Sequence, residues 1–389
     1  MNNILDIPQR ICWRLSYLIY KFISNSIALF ISPDRSRHIM IRILSFIGDL
    51  PLITNTNRVI FKRHLNSILT QKIHGITFCN PLGLSAGYDK NGILMNIIST
   101  LDFGFYTIGS VTAKQCDGNP KPWFYRLPKT KSLVVNAGLN NDGSIVVINR
   151  LHRYNKSTIK QLPIFLSVAK TNCKDVVDVE SGISDYIKTL KIARKEDKIK
   201  FIELNISCPN AYGGMPFTTP GSLDLLLKAV DDIKLIQPIF IKMPIYLPWN
   251  KFKELLNVVV QHSISGVTIA NLTKDRTTVA QKDKLSNNIH GYLSGRPTWD
   301  LSNNLIRLTY LSYKDKLTII GSGGIFSAQD AYKKIRLGAS LVEIATGLMF
   351  YGPQLPSEIN SGLDYMLKRD GYNNISQAVG VDASRIIND

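Results

Sequence analysis

From about residue 75 onward, short apolar runs alternate with longer stretches in which apolar positions recur every three or four residues. The runs are LGLSA (82–86), FYTIGSV (105–111), IFLSVA (164–169), FIELNIS (201–207), IFIKMP (239–244), GVTIAN (266–271), TIIGSGG (318–324) and VEIATG (342–347). Unbroken apolarity over so short a run marks a strand covered on both faces, and such strands belong to parallel sheets joined by helical crossovers. Helical periodicity fills the intervals in DYIKTLKIARK, LDLLLKAVDDIK, WNKFKELLNVVVQH and AQDAYKKIRLG. Eight such runs predict an α/β fold, a closed (β/α)8 TIM barrel. An open doubly wound sheet is the competing architecture, but it usually has fewer strands, and no GxGxxG follows the first run.

The chain before residue 75 has a different texture. RICWRLSYLIYKFISNSIALFIS (10–32) is apolar and aromatic, interrupted by Arg14 and Lys21. A spanning helix needs about 20 nearly uncharged residues, and this segment falls short. It also lacks the small-residue cleavage site of a signal peptide. The pattern predicts a helix lying in a membrane interface, with Trp13, Tyr17, Tyr20 and Phe22 at headgroup depth. A helix packed on the protein's own core is the competing reading. After Ser32-Pro33-Asp34, where Ser or Asp can cap, RSRHIMIRILSFIGDL predicts a second helix. Residues 1–60 thus read as a helical, membrane-associating extension ahead of a barrel domain at 75–375.

Composition adds a few exclusions. The formal net charge of +18 favours an anionic partner, but the lysines are scattered through amphipathic segments, so no nucleic acid is expected. The cysteines Cys12, Cys79, Cys116, Cys173 and Cys208 form no CxxC pair, and no HExxH is present. The expectation is a reducing compartment, no metal and no disulfide.

Barrel architecture says where chemistry belongs, at the C-terminal strand ends and the loops that follow. Polar residues cluster there: AGYDKNG after the first run, NISCPN after the fourth, ANLT after the sixth, and Lys242 inside the fifth. Polar groups in buried strands are costly without partners, which points to an occupant at the mouth. Gly321, Gly323, Gly324 and Gly347 end the last two runs, where such barrels commonly bind a phosphate.

The stretches NPLGLSAGYDKNG, GFYTIGSVTAKQCDGNPKPWFYRLP, GLNNDG, LNISCPN, LSGRP and IIGSGGIFSAQDAYKKIRLGASLVEIATGLMFYGP run in order from about residue 76 to 355. Together they resemble dihydroorotate dehydrogenase, the FMN enzyme of pyrimidine synthesis. The N-terminal helices, including SPDRSRH, resemble the extension by which the quinone-linked, membrane-associated class reaches its quinone. The resemblance implies dihydroorotate and orotate as ligands, FMN as cofactor, a quinone acceptor, and association with the cytoplasmic face of an inner membrane.

It also implies roles for particular residues. Lys242 would lie beside the flavin's pyrimidine ring, where a cation stabilises the reduced form. Lys90 would hold flavin or substrate, and Gly295, Gly323 and Gly324 would approach the phosphate. Ala86, Gly87, Ser110, Ser167, Asn205, Thr346 and Gly347 complete the implied cofactor contacts. Asn140, Asn205, Asn210 and Asn271 match the asparagines that hold orotate, each offering a donor and an acceptor. Cys208 matches the general base that takes the C5 proton, and a modest favourable field would make its thiolate accessible near neutral pH.

Several positions depart from the pattern. Cys208 stands where the quinone-linked class normally has serine, and with KMPIY around Lys242 it resembles the soluble class. Asn136 stands for an arginine, Ser167 for an asparagine, Leu272 for a hydroxyl residue, and Ala345-Thr346 for Tyr-Ser. Two further readings are a tRNA-modifying flavoenzyme of the dihydrouridine synthase type and a flavin-binding membrane protein turned to another substrate. The first shares barrel, FMN and an active-site Cys-Pro, but it normally adds a C-terminal helical domain.

Overall fold

The computed structural model describes residues 6–62, 67–154, 162–286 and 288–385. Its strands, in chain order, are β1 (Gln71–Ile73), β2 (Ile76–Phe78), β3 (Leu82–Leu84), β4 (Phe105–Val111), β5 (Phe124–Leu127), β6 (Ser132–Val135), β7 (Ile164–Val168), β8 (Ile199–Asn205), β9 (Ile239–Lys242), β10 (Gly266–Ile269), β11 (Tyr292–Gly295), β12 (Thr318–Ser322) and β13 (Leu341–Ile344). The eight apolar runs of the sequence are the eight barrel strands. They close in the order β3-β4-β7-β8-β9-β10-β12-β13, every pairing parallel. Helices such as Val179–Ala193, Pro220–Ile233, Trp249–Val259 and Ala328–Arg336 form the outer ring. Asp178 and Ser327 cap two of them by accepting from the backbone N–H of Ser181 and Asp330.

Two smaller sheets were not legible in the sequence. β1 and β2 form a hairpin that carries Phe78 into the barrel base. β5, β6 and β11 form an antiparallel sheet.

The barrel interior is graded. At its base Phe78, Phe105, Phe165, Phe201, Phe240, Ile320 and Leu341 make one fully buried cluster, with the Phe165 and Phe201 rings stacked 4.2 Å apart. Successive side chains alternate between the two faces of a strand. The next inward positions toward the mouth are therefore Thr107, Ser167, Glu203, Lys242, Thr268, Ser322 and Glu343, all buried. An aromatic floor thus carries a polar layer.

The N-terminal segment forms three helices rather than two: α1 (Asp6–Phe30), α2 (Pro33–Gly48) and α3 (Pro51–Phe61). Prolines at the first turns of α2 and α3 set both breaks. The β-branched and Asn/Thr-rich sequence of α3 conceals it from propensity. Asp34 fastens α2 to the barrel side, its carboxylate accepting from the backbone N–H of Trp123 (2.9 Å) and Phe124 (3.1 Å).

The aromatic side chains of α1 correct the sequence reading. Trp13 is buried and donates to the Ile60 carbonyl at 2.8 Å. The Tyr20 hydroxyl donates to the Met349 carbonyl at 2.8 Å, and Tyr17 stacks on Tyr351. These three rings face the protein, where two backbone carbonyls and a ring receive them. Phe22 alone of the four is strongly exposed, at 75%. It continues an outward apolar face made by Ile7, Ile11, Leu15, Leu18 and Ile19, joined by Ile39, Ile43 and Phe46 of α2 and by Leu52 and Val59 of α3. The competing reading, a helix packed on the protein's own core, therefore holds for one face, and the other face is exposed. No single described helix is long and apolar enough to cross a membrane, though α2 and α3, bent by 97°, pass together on length and composition.

Candidate active site

Above the polar layer, the strand ends and the β5-β6-β11 sheet enclose a cavity. Its wall includes Ala86, Gly87, Lys90, Ser110, Asn205, Cys208, Asn210, Lys242 and Asn271. These residues come from five barrel strands or the loops after them, so barrel closure itself brings them together. At the centre, the Asn205 amide donates to Ser110 Oγ (2.8 Å), which shares a hydrogen bond with Ser167 Oγ (2.8 Å). The Asn271 amide donates to Ser207 Oγ (3.0 Å) and to the Ser207 carbonyl (3.1 Å). Asn210 donates to the Val135 carbonyl at 3.0 Å, which ties the loop after β8 to β6. Lys90 Nζ donates to Asn140 Oδ1.

The structure does not place every expected residue on the wall. Asn140 is not among the lining residues; its side-chain oxygen accepts from Lys90. Ser167 lies wholly buried beneath Ser110, where a hydroxyl fits and closes the network.

Electrostatics distinguish three groups. Burial lowers the affinity of Lys242 for its proton, but the carboxylates of Glu203 and Glu343 outweigh that and hold it above the ordinary lysine value. Lys90 has no such partner: burial, and then Arg37, bring it down to about 7. Burial pushes the Cys208 thiol up, more than the Asn210 backbone N–H and the ammonium groups of Lys90 and Lys170 pull it down. This corrects the sequence expectation of an accessible thiolate, because desolvation inside the barrel mouth exceeds the favourable field.

A second lobe shares Ala86, Lys242, Asn271, Leu272, Ser294, Ala345 and Thr346 with the first and extends to Gly295, Gly323, Gly324 and Gly347. Gly323 and Gly324 have φ of +97° and +72°, a backbone only glycine adopts without strain. Their N–H groups donate to none of the described residues. Unpaired backbone donors around a glycine-lined lobe fit a phosphate. The cation of Lys242 between the two lobes fits a flavin ring that gains negative charge.

A third space, of about 490 Å³, opens between α1, α2 and the barrel. It is lined mainly by apolar side chains, among them Ile31, Met40, Ile41 and Leu44, with Arg37 and Arg126 as its cations. Tyr88, Phe124, Leu133 and Met349 line both this tunnel and the central cavity. The cavity therefore borders polar asparagines on one side and an apolar passage toward the N-terminal helices on the other.

The family profile of dihydroorotate dehydrogenase matches residues 68–367. The chain belongs to the dihydroorotate dehydrogenase family. It is 31% identical over 374 residues to a protein of Nostoc punctiforme named dihydroorotate dehydrogenase (quinone), covering 94% of this chain and 98% of that one. A Haloarcula marismortui protein of the same name is 33% identical over 315 residues, covering 81% and 86%. Among solved structures, ligand-free DHODH from Eimeria tenella superposes with a TM-score of 0.78 at 26% identity, covering 89% of this chain and 98% of that one. The same organism's DHODH in complex with ferulenol gives 0.79 at 24% identity, covering 92% and 97%.

Within this member of the family, sequence reasoning missed Glu203 and Glu343, although a glutamate inside each of two apolar runs was a readable signal. It also missed the tunnel-lining Tyr88, Arg37 and Arg126, which no local motif marks.

The Lys90 ammonium is lost as pH rises through about 7, so a carboxylate ligand held by it binds more weakly on the alkaline side. Titration calorimetry with orotate should show that decline in the native protein. A Lys90→Met protein should bind weakly and without the pH dependence. An unchanged profile in Lys90→Met would remove Lys90 from ligand binding.

Proposed function

We propose that this chain binds FMN in the two-lobed cavity, oxidises dihydroorotate to orotate and passes the electrons to a quinone. One observation carries the reading: a polar chamber holding Cys208, Lys90 and three asparagines shares its wall with an apolar tunnel. A hydrophilic acid and a lipophilic acceptor need those two environments on either side of one redox centre.

FMN, when bound, supplies the hydride acceptor. Gly295, Gly323 and Gly324 would hold its phosphate, Lys242 its pyrimidine edge, and Ala86, Gly87, Ser110, Asn205, Thr346 and Gly347 the remainder, with Ser167 acting from behind Ser110. Asn205, Asn210 and Asn271 orient the substrate ring through paired donors and acceptors. Asn140 steadies the Lys90 ammonium against the substrate carboxylate. Cys208 takes the C5 proton. Because burial holds its thiol above the ordinary value, the reactive form is scarce at neutral pH, so turnover rises with pH until Lys90 loses its charge. Cysteine in place of serine changes the base without changing the acceptor, because the base faces the chamber and the tunnel lies behind the shared wall.

Residues 1–60 form the membrane-associating extension, and residues 75–375 the catalytic domain. The exposed apolar faces of α1, α2 and α3 support a monotopic contact with the cytoplasmic face of an inner membrane. Arg10, Arg14 and Lys21, all exposed on α1, suit anionic headgroups.

Stopped-flow reduction by dihydroorotate, followed by reoxidation with quinone, fumarate and NAD in parallel, tests the function. Bleaching by dihydroorotate with quinone as the fast oxidant is expected. Yellow protein inert to dihydroorotate would contradict the substrate, and faster oxidation by fumarate or NAD would contradict the acceptor. Cys208→Ala should keep its flavin and reduce it about 10²–10⁴-fold more slowly; native kinetics in that variant would take Cys208 out of the mechanism. Ile19→Glu with Phe22→Glu should release the protein from anionic vesicles in a flotation assay. Undiminished co-flotation would place the membrane contact elsewhere.

A further inference from the structure

The layer between the aromatic floor and the cavity holds one cation and two carboxyl groups. Lys242 Nζ lies 3.6 Å from Glu203 Oε1. Glu343 reaches the same interior from β13, which stands across the barrel from β8. Glu203 and Glu343 are each 1% exposed and Lys242 is 4% exposed. Thr107 donates to Glu343 Oε1 at 2.7 Å. Both oxygens of Glu203, Oε2 of Glu343 and the hydroxyl of Thr268 have no hydrogen-bond partner among the described residues.

Charge counting makes this arrangement informative. With both carboxyls ionised, the barrel would bury a net negative charge with too few donors around it. Uncompensated charge in a desolvated interior is strongly unfavourable, and a carboxyl in that position takes a proton instead. Glu203 lies against the ammonium. Glu343 accepts from a neutral hydroxyl and feels Glu203 as a like charge. The Ser85 hydroxyl also faces Glu343, and the buried hydroxyls of Thr268 and Ser322 belong to the same layer. Outside the barrel wall, Lys334 on the packing helix is committed to Ser302 and Asn303.

We propose that Glu203, Lys242 and Glu343 form a triad that carries one exchangeable proton on Glu343, and that Glu343 is a positioning residue setting the charge that Lys242 presents to the cofactor lobe. The proton itself is a property of the barrel. Its effect on the cofactor rests on the flavin reading above. Burial, and then Glu203, raise the Glu343 carboxyl to about 7, only partly countered by Lys242. Above that pH the proton leaves to water and a negative charge appears beside Lys242, so reduction of a flavin there becomes harder. Conversely, negative charge gained at the cofactor draws one proton from water onto a Glu343 carboxylate oxygen. That O–H bond breaks again when the electrons depart to the acceptor.

Two readouts on the full-length protein decide the matter. Infrared pH-difference spectra should show the carbonyl band of a protonated carboxylic acid titrating near pH 7. The band should shift with carbon-13 glutamate and vanish in Glu343→Gln. It should also leave the neutral range in Glu203→Gln, where Glu343 pairs alone with Lys242 and ionises. No such band in the native protein, or its survival in Glu343→Gln, overturns the triad. Should Glu343→Gln not fold, an unaltered band in Glu203→Gln would overturn it equally. The flavin midpoint potential should fall more steeply with rising pH in the native protein than in Glu343→Gln, with the two converging at acid pH. Parallel lines would refute the link to the cofactor. A chain that binds no flavin would defeat the functional reading while leaving the infrared band to judge the triad.

Discussion

An ammonium group buried in the throat of a barrel constrains much of this molecule. Lys242 is inward-facing on β9 because Phe240, two residues earlier, faces inward to complete the aromatic floor. Register then puts the ammonium beside Glu203 and Thr268 of the two neighbouring strands, and barrel closure brings Glu343 of β13 into the same interior. A charge there is tolerable only with partners, and β8 and β13 supply them. The floor below is closed by packed, fully buried rings, so the open side of the charge is the cavity above. The position of the site is thus a consequence of barrel closure and of side-chain alternation.

The cavity separates two kinds of chemistry by the texture of its walls. Asparagines, Lys90 and Cys208 make the side suited to a small anionic ring. Phe124, Leu133 and Met349 form the boundary to a passage roofed by α1 and α2. Asp34 and Tyr20 fasten those helices through backbone groups of the barrel domain, which keeps the tunnel wall in register with the site. Their outer apolar faces remain free. One extension therefore builds the tunnel on its inner side and exposes an apolar surface on its outer side.

Much of this is legible in the amino-acid sequence. Buried parallel strands are unbroken apolar runs, so the eight barrel strands stand out, and polar residues at their ends name most of the cavity wall. What escapes detection has physical reasons. β5 and β6 are four residues each, and their partner β11 lies far along the chain. α1 is apolar around most of its circumference, so periodicity does not say which face docks. Trp13, Tyr17 and Tyr20 take the protein side because carbonyls and a ring await them there. The thiol of Cys208 titrates against its sequence expectation because the depth of the barrel mouth, invisible in a motif, outweighs two nearby ammonium groups. Glu203 and Glu343 are 140 positions apart in the chain, and only closure reveals that they share one lysine.

The central claim is that the Lys242 ammonium is the cation beneath a bound flavin. Replacing it with methionine keeps the length of the side chain and removes the charge. The account predicts that Lys242→Met, with its far-ultraviolet circular dichroism intact, binds FMN at least about tenfold more weakly and holds any retained flavin at a lower midpoint potential. Native affinity together with a native potential in that variant would contradict it.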